Sequence, residues 1–168
     1  MEKSKTKTAR LFLEHKKNWL SAVELEKQGI QRPTSPEYLP HNFKGGTESA
    51  IKNYKKQVAD TRNQIRILTY QEPKIKAPYT KNYDYDGITP KKQAALNNYR
   101  RDYNAQFERI RLENKSDIRN LKTEELNYRH KLGLAYDSIL SHRIAGKGDQ
   151  YAAIRKAISD IRQSFYGH

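Results

Sequence analysis

The sequence predicts a mainly α-helical protein: an elongated helical hairpin or bundle with one long helix at about residues 90–144, a small N-terminal helical segment and two extended connectors that carry proline and tyrosine. Apolar residues recur at helical spacing through two long stretches. The 6 prolines fall between or at the start of these stretches, and none follows Pro90. Apolar residues make up only 35% of the chain, so we expect a thin core that is completed against a neighbour.

The first segment, residues 1–30, is expected to hold short helices that follow a basic arm. Ser21 and Glu24 form a capping box, in which each side chain bonds the backbone of the other. Gly29 suits the left-handed position that ends many helices. These signals predict a separate helix of about two turns from Ala22 to Gln28.

Two connectors are predicted at residues 31–46 and 69–89, where prolines exclude long helices. Each is rich in aromatic side chains, which suit docking onto a partner because they bury a large area. The expected anchors are Tyr38, Phe43, Tyr79, Tyr83 and Tyr85.

Between the connectors, residues 47–68 show apolar positions spaced alternately by three and four residues from Ile51 to Leu68. This is the seam of a heptad repeat, which predicts a helix that packs against another helix. Thr47 is the expected N-cap.

The last segment, residues 90–168, begins with Thr89 and Pro90 in the order preferred at a helix start. An unbroken helix to about residue 144 would measure ~80 Å, and such a rod cannot bury its apolar stripe alone. Asn114 and Glu125 interrupt that stripe. A turn and a return helix at about 150–165 should follow. The positions expected to pack on a partner are Ile118, Leu121, Tyr128 and Leu132.

The charge predicts the class of partner. Lys and Arg total 33 against 19 Asp and Glu, a net charge of +14, which attracts phosphate-rich polymers. The alternative is a solvated surface with ion pairs within each helix. The expected polyanion contacts are Lys3, Lys5, Lys7, Arg10, Arg100, Arg101, Arg109, Arg111 and Arg119.

No pattern typical of catalysis is present. The chain has no cysteine, which excludes disulfides, thiolate nucleophiles and Cys-based zinc sites, and its 5 histidines lack metal-ligand spacing. The turn at Gly146–Gly148 lacks the remaining residues of a P-loop. We therefore expect no cofactor and no small-molecule substrate. No apolar run reaches the ~20 residues of a membrane helix and no signal segment is evident, so we expect an intracellular soluble or virion-interior protein that is not secreted.

Two hypotheses follow. The first is a non-enzymatic structural or assembly protein of a nucleic-acid-containing particle, of virion or ribosome type, which binds nucleic acid without sequence preference and contacts other subunits or itself. The second starts from Ser21–Ile30, which resembles the first helix and turn of a helix-turn-helix motif. That resemblance implies a DNA-binding regulator or packaging adaptor with a C-terminal oligomerising hairpin, although Pro40 leaves the recognition helix about one turn long.

Overall fold

A computed structural model describes residues 2–32, 43–78 and 89–166, with the backbone alone for residues 2–4 and 166. The α-helices in these ranges are α1 (Glu2–Lys27), α2 (Gly46–Thr69), α3 (Pro90–Ile144) and α4 (Ala152–Tyr166), and the described residues contain no strand. The predicted mainly α fold is confirmed, and the 55 residues of α3 match the predicted long helix.

The N-terminal prediction of two short helices is wrong, because α1 is one helix of 26 residues. Ser21 lies inside it. The reason is that buried positions continue at helical spacing through His15, Asn18, Ala22 and Leu25, and tertiary packing of one face outweighs a local capping signal.

The predicted end of this helix is confirmed. Gly29 has a φ of 86°. The Ile30 amide donates to the Leu25 carbonyl at 3.2 Å and the Gly29 amide donates to the Glu26 carbonyl at 3.0 Å. This is the Schellman arrangement, in which glycine takes the left-handed position and satisfies the last helical carbonyls.

The chain divides into two units, residues 1–63 with 119–168, and residues 64–118. In the first unit, α1 and α2 both run antiparallel to α3. Asn18 donates to the Arg129 carbonyl, and the Tyr136 hydroxyl donates to Glu14. Along α2, Glu48 pairs with Arg143 and Arg62 pairs with Glu125.

Helix α4 returns along α3, as the sequence predicted. Arg162 on α4 donates to Asp137 on α3 at 2.6 Å, and Arg155 donates to the Ile144 carbonyl at 2.7 Å. At the far end of the pair, a Cβ on Gly133 would stand 3.1 Å from the Phe165 ring. The glycine that weakens α3 locally therefore allows the close approach of a fully buried Phe165.

The core of the first unit has three parts. One joins α2 to α3, a second joins α1 to α3 and α4, and a third joins α3 to α4. Their buried members on α3 are Leu126, Leu132, Ala135, Tyr136, Leu140 and Ile144. The buried apolar side chains of the first unit are thus concentrated around the C-terminal half of α3.

In the second unit, Asn114 explains one interruption of the apolar stripe on α3. Its Nδ2 donates to the Leu68 carbonyl at 3.2 Å and to Gln71 Oε1 at 2.8 Å. The Asn114 side chain therefore links α3 to the end of α2. An apolar residue at this position could not donate to the Leu68 carbonyl, which lies in the last turn of α2.

We expect Asn114→Ala to lower the free energy of unfolding by about 1 kcal/mol, since it removes two hydrogen bonds at a half-buried position. Amide exchange at residues 69–72 should accelerate more than exchange in α4. The neighbouring exposed Glu113→Ala is the control. Equal protection of residues 69–72 in wild type and variant would contradict this role for Asn114.

Candidate polyanion and partner surfaces

The predicted basic arm is the first part of α1. Lys5, Lys7 and Arg10 are exposed, whereas the side chain of Lys3 lies outside the described residues. Successive residues of a helix turn by about 100°, so Lys5 and Arg10 project about 140° apart. The arm presents its charge around the helix and not on one face.

The predicted cations of α3 in the second unit are all exposed. Three of them have partners on the same helix: Arg109 with Glu113 at 3.9 Å, Arg111 with Glu108 at 3.4 Å, and Arg101 with the Asn98 side chain at 3.1 Å. This is the pattern that the alternative of a solvated, ion-paired surface predicts. Exposed pairs of this kind contribute about 0–1 kcal/mol, so a phosphate could displace them readily.

Arg100 differs from these three because none of the described residues pairs with it. It lines a cleft of 510 Å³ together with Tyr99, Tyr103, Asn104 and Glu72. The two tyrosine rings lie 6.0 Å apart. The cleft combines one free cation with an aromatic wall.

In the first unit, Arg119 is exposed and its Nη2 reaches the Gly29 carbonyl at 3.5 Å. That carbonyl belongs to the end of α1, where a cation is favourable because of the helix dipole. One nitrogen of the Arg119 guanidinium is therefore used in the contact between α3 and the end of α1.

The residues expected to pack on a partner differ in how far they are buried within the chain. Leu132 is 3% exposed and belongs to the core between α2 and α3, so the prediction that it packs on a partner is wrong. The predicted covering of the stripe by another molecule fails here because α1 and α2 already cover it.

Tyr128 and Phe43 pack on the same core from its edge. Their rings lie 6.2 Å and 5.9 Å from the Tyr54 ring. Ile118 and Leu121 are half-buried. The remaining predicted anchors, Tyr38, Tyr79, Tyr83 and Tyr85, lie outside the described residues.

The sequence did not predict a buried polar network at the centre of the first unit. Glu125 and Arg129 are 3% and 5% exposed, and Arg129 Nε donates to Glu125 Oε2 at 2.7 Å. Arg129 Nη1 also donates to Asn18 Oδ1 at 3.1 Å, and Arg62 approaches the second Glu125 oxygen at 3.6 Å. The network therefore joins α1, α2 and α3.

Electrostatics explain why the parts of this network occur together. Burial lowers the pKa of Arg129, and the hydrogen bond and charge of Glu125 act in the opposite direction. A buried cation without a partner is very unfavourable. The signal available in the sequence was an acid and a base four residues apart at a position on the apolar stripe.

Beside the network lies a groove between α1 and α2, which we call the basic groove. It has a volume of 590 Å³, and its lining includes four basic side chains and one acidic side chain. Its lining residues are Glu14, Lys17, Asn18, Leu20, Ser21, Lys55, Val58, Ala59, Arg62, Arg129, Leu132 and Tyr136. Every one of them belongs to the first unit.

Side chains suited to metal binding do not cluster in the described ranges. No group of three or more His, Asp or Glu side chains there could hold a metal ion. None of the helices in those ranges contains an apolar stretch of the length that spans a bilayer. In comparisons with known proteins, no family model, curated protein or solved structure matches the chain.

Proposed function

We propose that this protein is a non-enzymatic structural or assembly component of a large nucleic-acid-containing particle, of virion or ribosome type. In this function it binds the polyanion without sequence preference and contacts neighbouring protein subunits. The observation that carries the proposal is the net charge of +14, whose exposed cations occur on α1, α2 and α3.

The arrangement of the cations supports contact with phosphate at many points. Lys5, Lys7 and Arg10 point to different sides of α1, and Arg100 on α3 belongs to the other unit. Phosphate contacts supply affinity and position but carry no base sequence. A protein that is surrounded by folded nucleic acid needs cations on several sides.

Exposed apolar side chains support contact with protein subunits. In the second unit, Ile67, Tyr70 and Leu112 are 57%, 69% and 68% exposed. Ile67 and Tyr70 are three residues apart at the end of α2, so they lie on neighbouring positions of one face. Such side chains are buried when a subunit docks on them.

The experiment is a titration of fluorescent nucleic acid with the full chain at several salt concentrations. We expect the triple variant Lys5→Ala, Lys7→Ala, Arg10→Ala to reduce the slope of log affinity against log salt by roughly one to two, because each lost phosphate contact changes it by about 0.9 and one bound nucleic acid reaches only the cations on one side of α1. A charge-conserving variant, Lys5→Arg, Lys7→Arg, Arg10→Lys, should keep the wild-type slope. An unchanged slope in the alanine variant would show that Lys5, Lys7 and Arg10 do not contact the nucleic acid.

The same titration distinguishes the assembly function from the helix-turn-helix hypothesis. Two duplexes of unrelated sequence should bind with affinities within a few-fold of each other. A protected footprint on one sequence, with much weaker binding elsewhere, would favour a regulator or adaptor over an assembly protein.

A further inference from the structure

We propose that the basic groove binds an acidic amphipathic helix of a partner protein. The inference rests on the protein-contact half of the proposed function and identifies where that contact is made. It is carried by the combination of an apolar floor, a cationic rim and the net charge of the chain.

The floor of the groove is apolar. Val58 and Ala59 of α2 contribute to it, and Leu20 of α1, which also lines the groove, has 48% of its surface exposed. A large exposed leucine beside a concave apolar surface gains free energy when an apolar side chain covers it. Helices that dock in grooves do so with apolar residues at positions i, i+3, i+4 and i+7.

The rim is cationic, and its charges are only partly compensated. Lys17 pairs with none of the described residues. Lys55 has Glu14 at 3.3 Å, and Arg62 has Glu125 at 3.6 Å. Because Glu125 already bonds Arg129 at 2.7 Å, its charge is shared between two cations. Carboxylates that flank an apolar ridge would complete the pairing of Lys17, Lys55 and Arg62.

The positive charge of the rim also favours one kind of molecule in the basic groove over others. A second copy of this chain would bring another +14 towards a positive rim, and like charges oppose that docking. Nucleic acid satisfies the rim but leaves the apolar surface uncovered, since the side chains of Leu20, Val58 and Ala59 offer neither hydrogen-bond donors nor charges to phosphate or sugar. An acidic helix with a leucine ridge satisfies both surfaces.

The test uses fluorescence anisotropy with the full chain and three labelled probes. The first is an 18-residue helical peptide with leucines at positions i, i+3, i+4 and i+7, a few glutamates flanking that ridge, and alanines elsewhere. The second has the same glutamates but glutamine at each leucine position. The third is a single-stranded thymidine oligonucleotide.

Two double variants are compared with wild type, and circular dichroism checks that each is folded. Lys17→Gln with Lys55→Gln removes rim charges, whereas Lys52→Gln with Lys56→Gln removes the same charge from exposed positions of α2 outside the lining. Leu20→Asn probes the apolar mouth.

We expect the leucine peptide to bind at least 10-fold more tightly than the glutamine peptide. The rim variant and Leu20→Asn should each weaken it about 10-fold, and the control variant less than about 3-fold. Oligonucleotide binding should fall equally in the two charge variants. Equal binding of both peptides, or equal loss in the rim and control variants, would overturn the proposal.

Two further results are informative. If the rim variant weakens oligonucleotide binding more than the control variant does, or if a labelled second copy of the chain occupies the groove, the proposed occupant is wrong. If the peptide binds as expected while no nucleic acid binds, the polyanion half of the proposed function fails and the groove proposal stands.

Discussion

Glu125→Ala is expected to lower the free energy of unfolding by about 3–5 kcal/mol, enough to unfold many domains of this size. The substitution leaves the Arg129 guanidinium 5% exposed, with the Asn18 side-chain oxygen as its one remaining partner in the network. Removal of one partner of a buried ion pair destabilises the protein by more than the pair had stabilised it, because the other charge stays buried without a counterion. Urea unfolding followed by circular dichroism measures the change.

Two further variants separate the buried charge from loss of side-chain bulk. Glu124→Ala removes a neighbouring exposed glutamate and should change stability by no more than about 0.5 kcal/mol. Glu125→Leu combined with Arg129→Met removes both charges, and should recover at least half of the loss, since apolar residues often replace a buried ion pair at little cost. If the double variant is less stable than Glu125→Ala, the unpaired charge is not the cause.

Acidification is expected to destabilise the protein through His15 by about 3 kcal/mol between pH 6.5 and pH 4. The His15 ring is 0% exposed, and neither nitrogen has a hydrogen-bond partner among the described residues. Burial, with a smaller effect from the Arg162 charge, lowers the pKa of His15 from 6.5 to about 4. The unfolded chain therefore takes up the proton first as the pH falls.

The sign and window follow from these two values. Above about pH 7.5 neither state binds the proton, so stability does not change with pH through His15. Stability falls as the pH drops through the interval, and the full loss is reached below about pH 4. Burial lowers the pKa of His130 as well, which adds to the loss in the same direction.

The His15→Leu variant isolates this contribution. It keeps an apolar side chain against Tyr136 and Phe165, whose rings lie 5.6 Å and 6.2 Å from the imidazole. Between pH 7 and pH 4, the unfolding free energy of the variant should fall by about 3 kcal/mol less than the unfolding free energy of wild type. Parallel pH profiles for the two proteins would show that His15 is not the sensor.

Much of the fold was predictable because local signals and packing agree. Thr89 and Pro90 mark the start of α3, the absence of later prolines permits its length, and Gly29 ends α1 as predicted. Where the two conflict, packing decides. The capping box at Ser21 is a real local preference, but the buried face of α1 continues through it because α3 and α4 cover that face.

The candidate surfaces were less predictable, because they depend on which helices become neighbours. Exposed cations and their partners three or four residues away can be found from spacing, as Arg109 and Arg111 show. The basic groove exists only because Lys17 of α1 and Lys55 of α2 line the same surface. Nothing in the spacing of either helix identifies the other as its neighbour, and for the same reason Leu132 could not be assigned to the core from sequence.

The salt dependence of nucleic-acid binding by the unmodified protein tests the central claim most directly. Binding to a duplex of arbitrary sequence should weaken linearly with log salt, with a slope of about −4 or steeper, which corresponds to roughly four or more phosphate contacts. A second, unrelated duplex should give the same slope and a similar affinity. A slope near zero, or no binding at low salt, would contradict a polyanion-binding function.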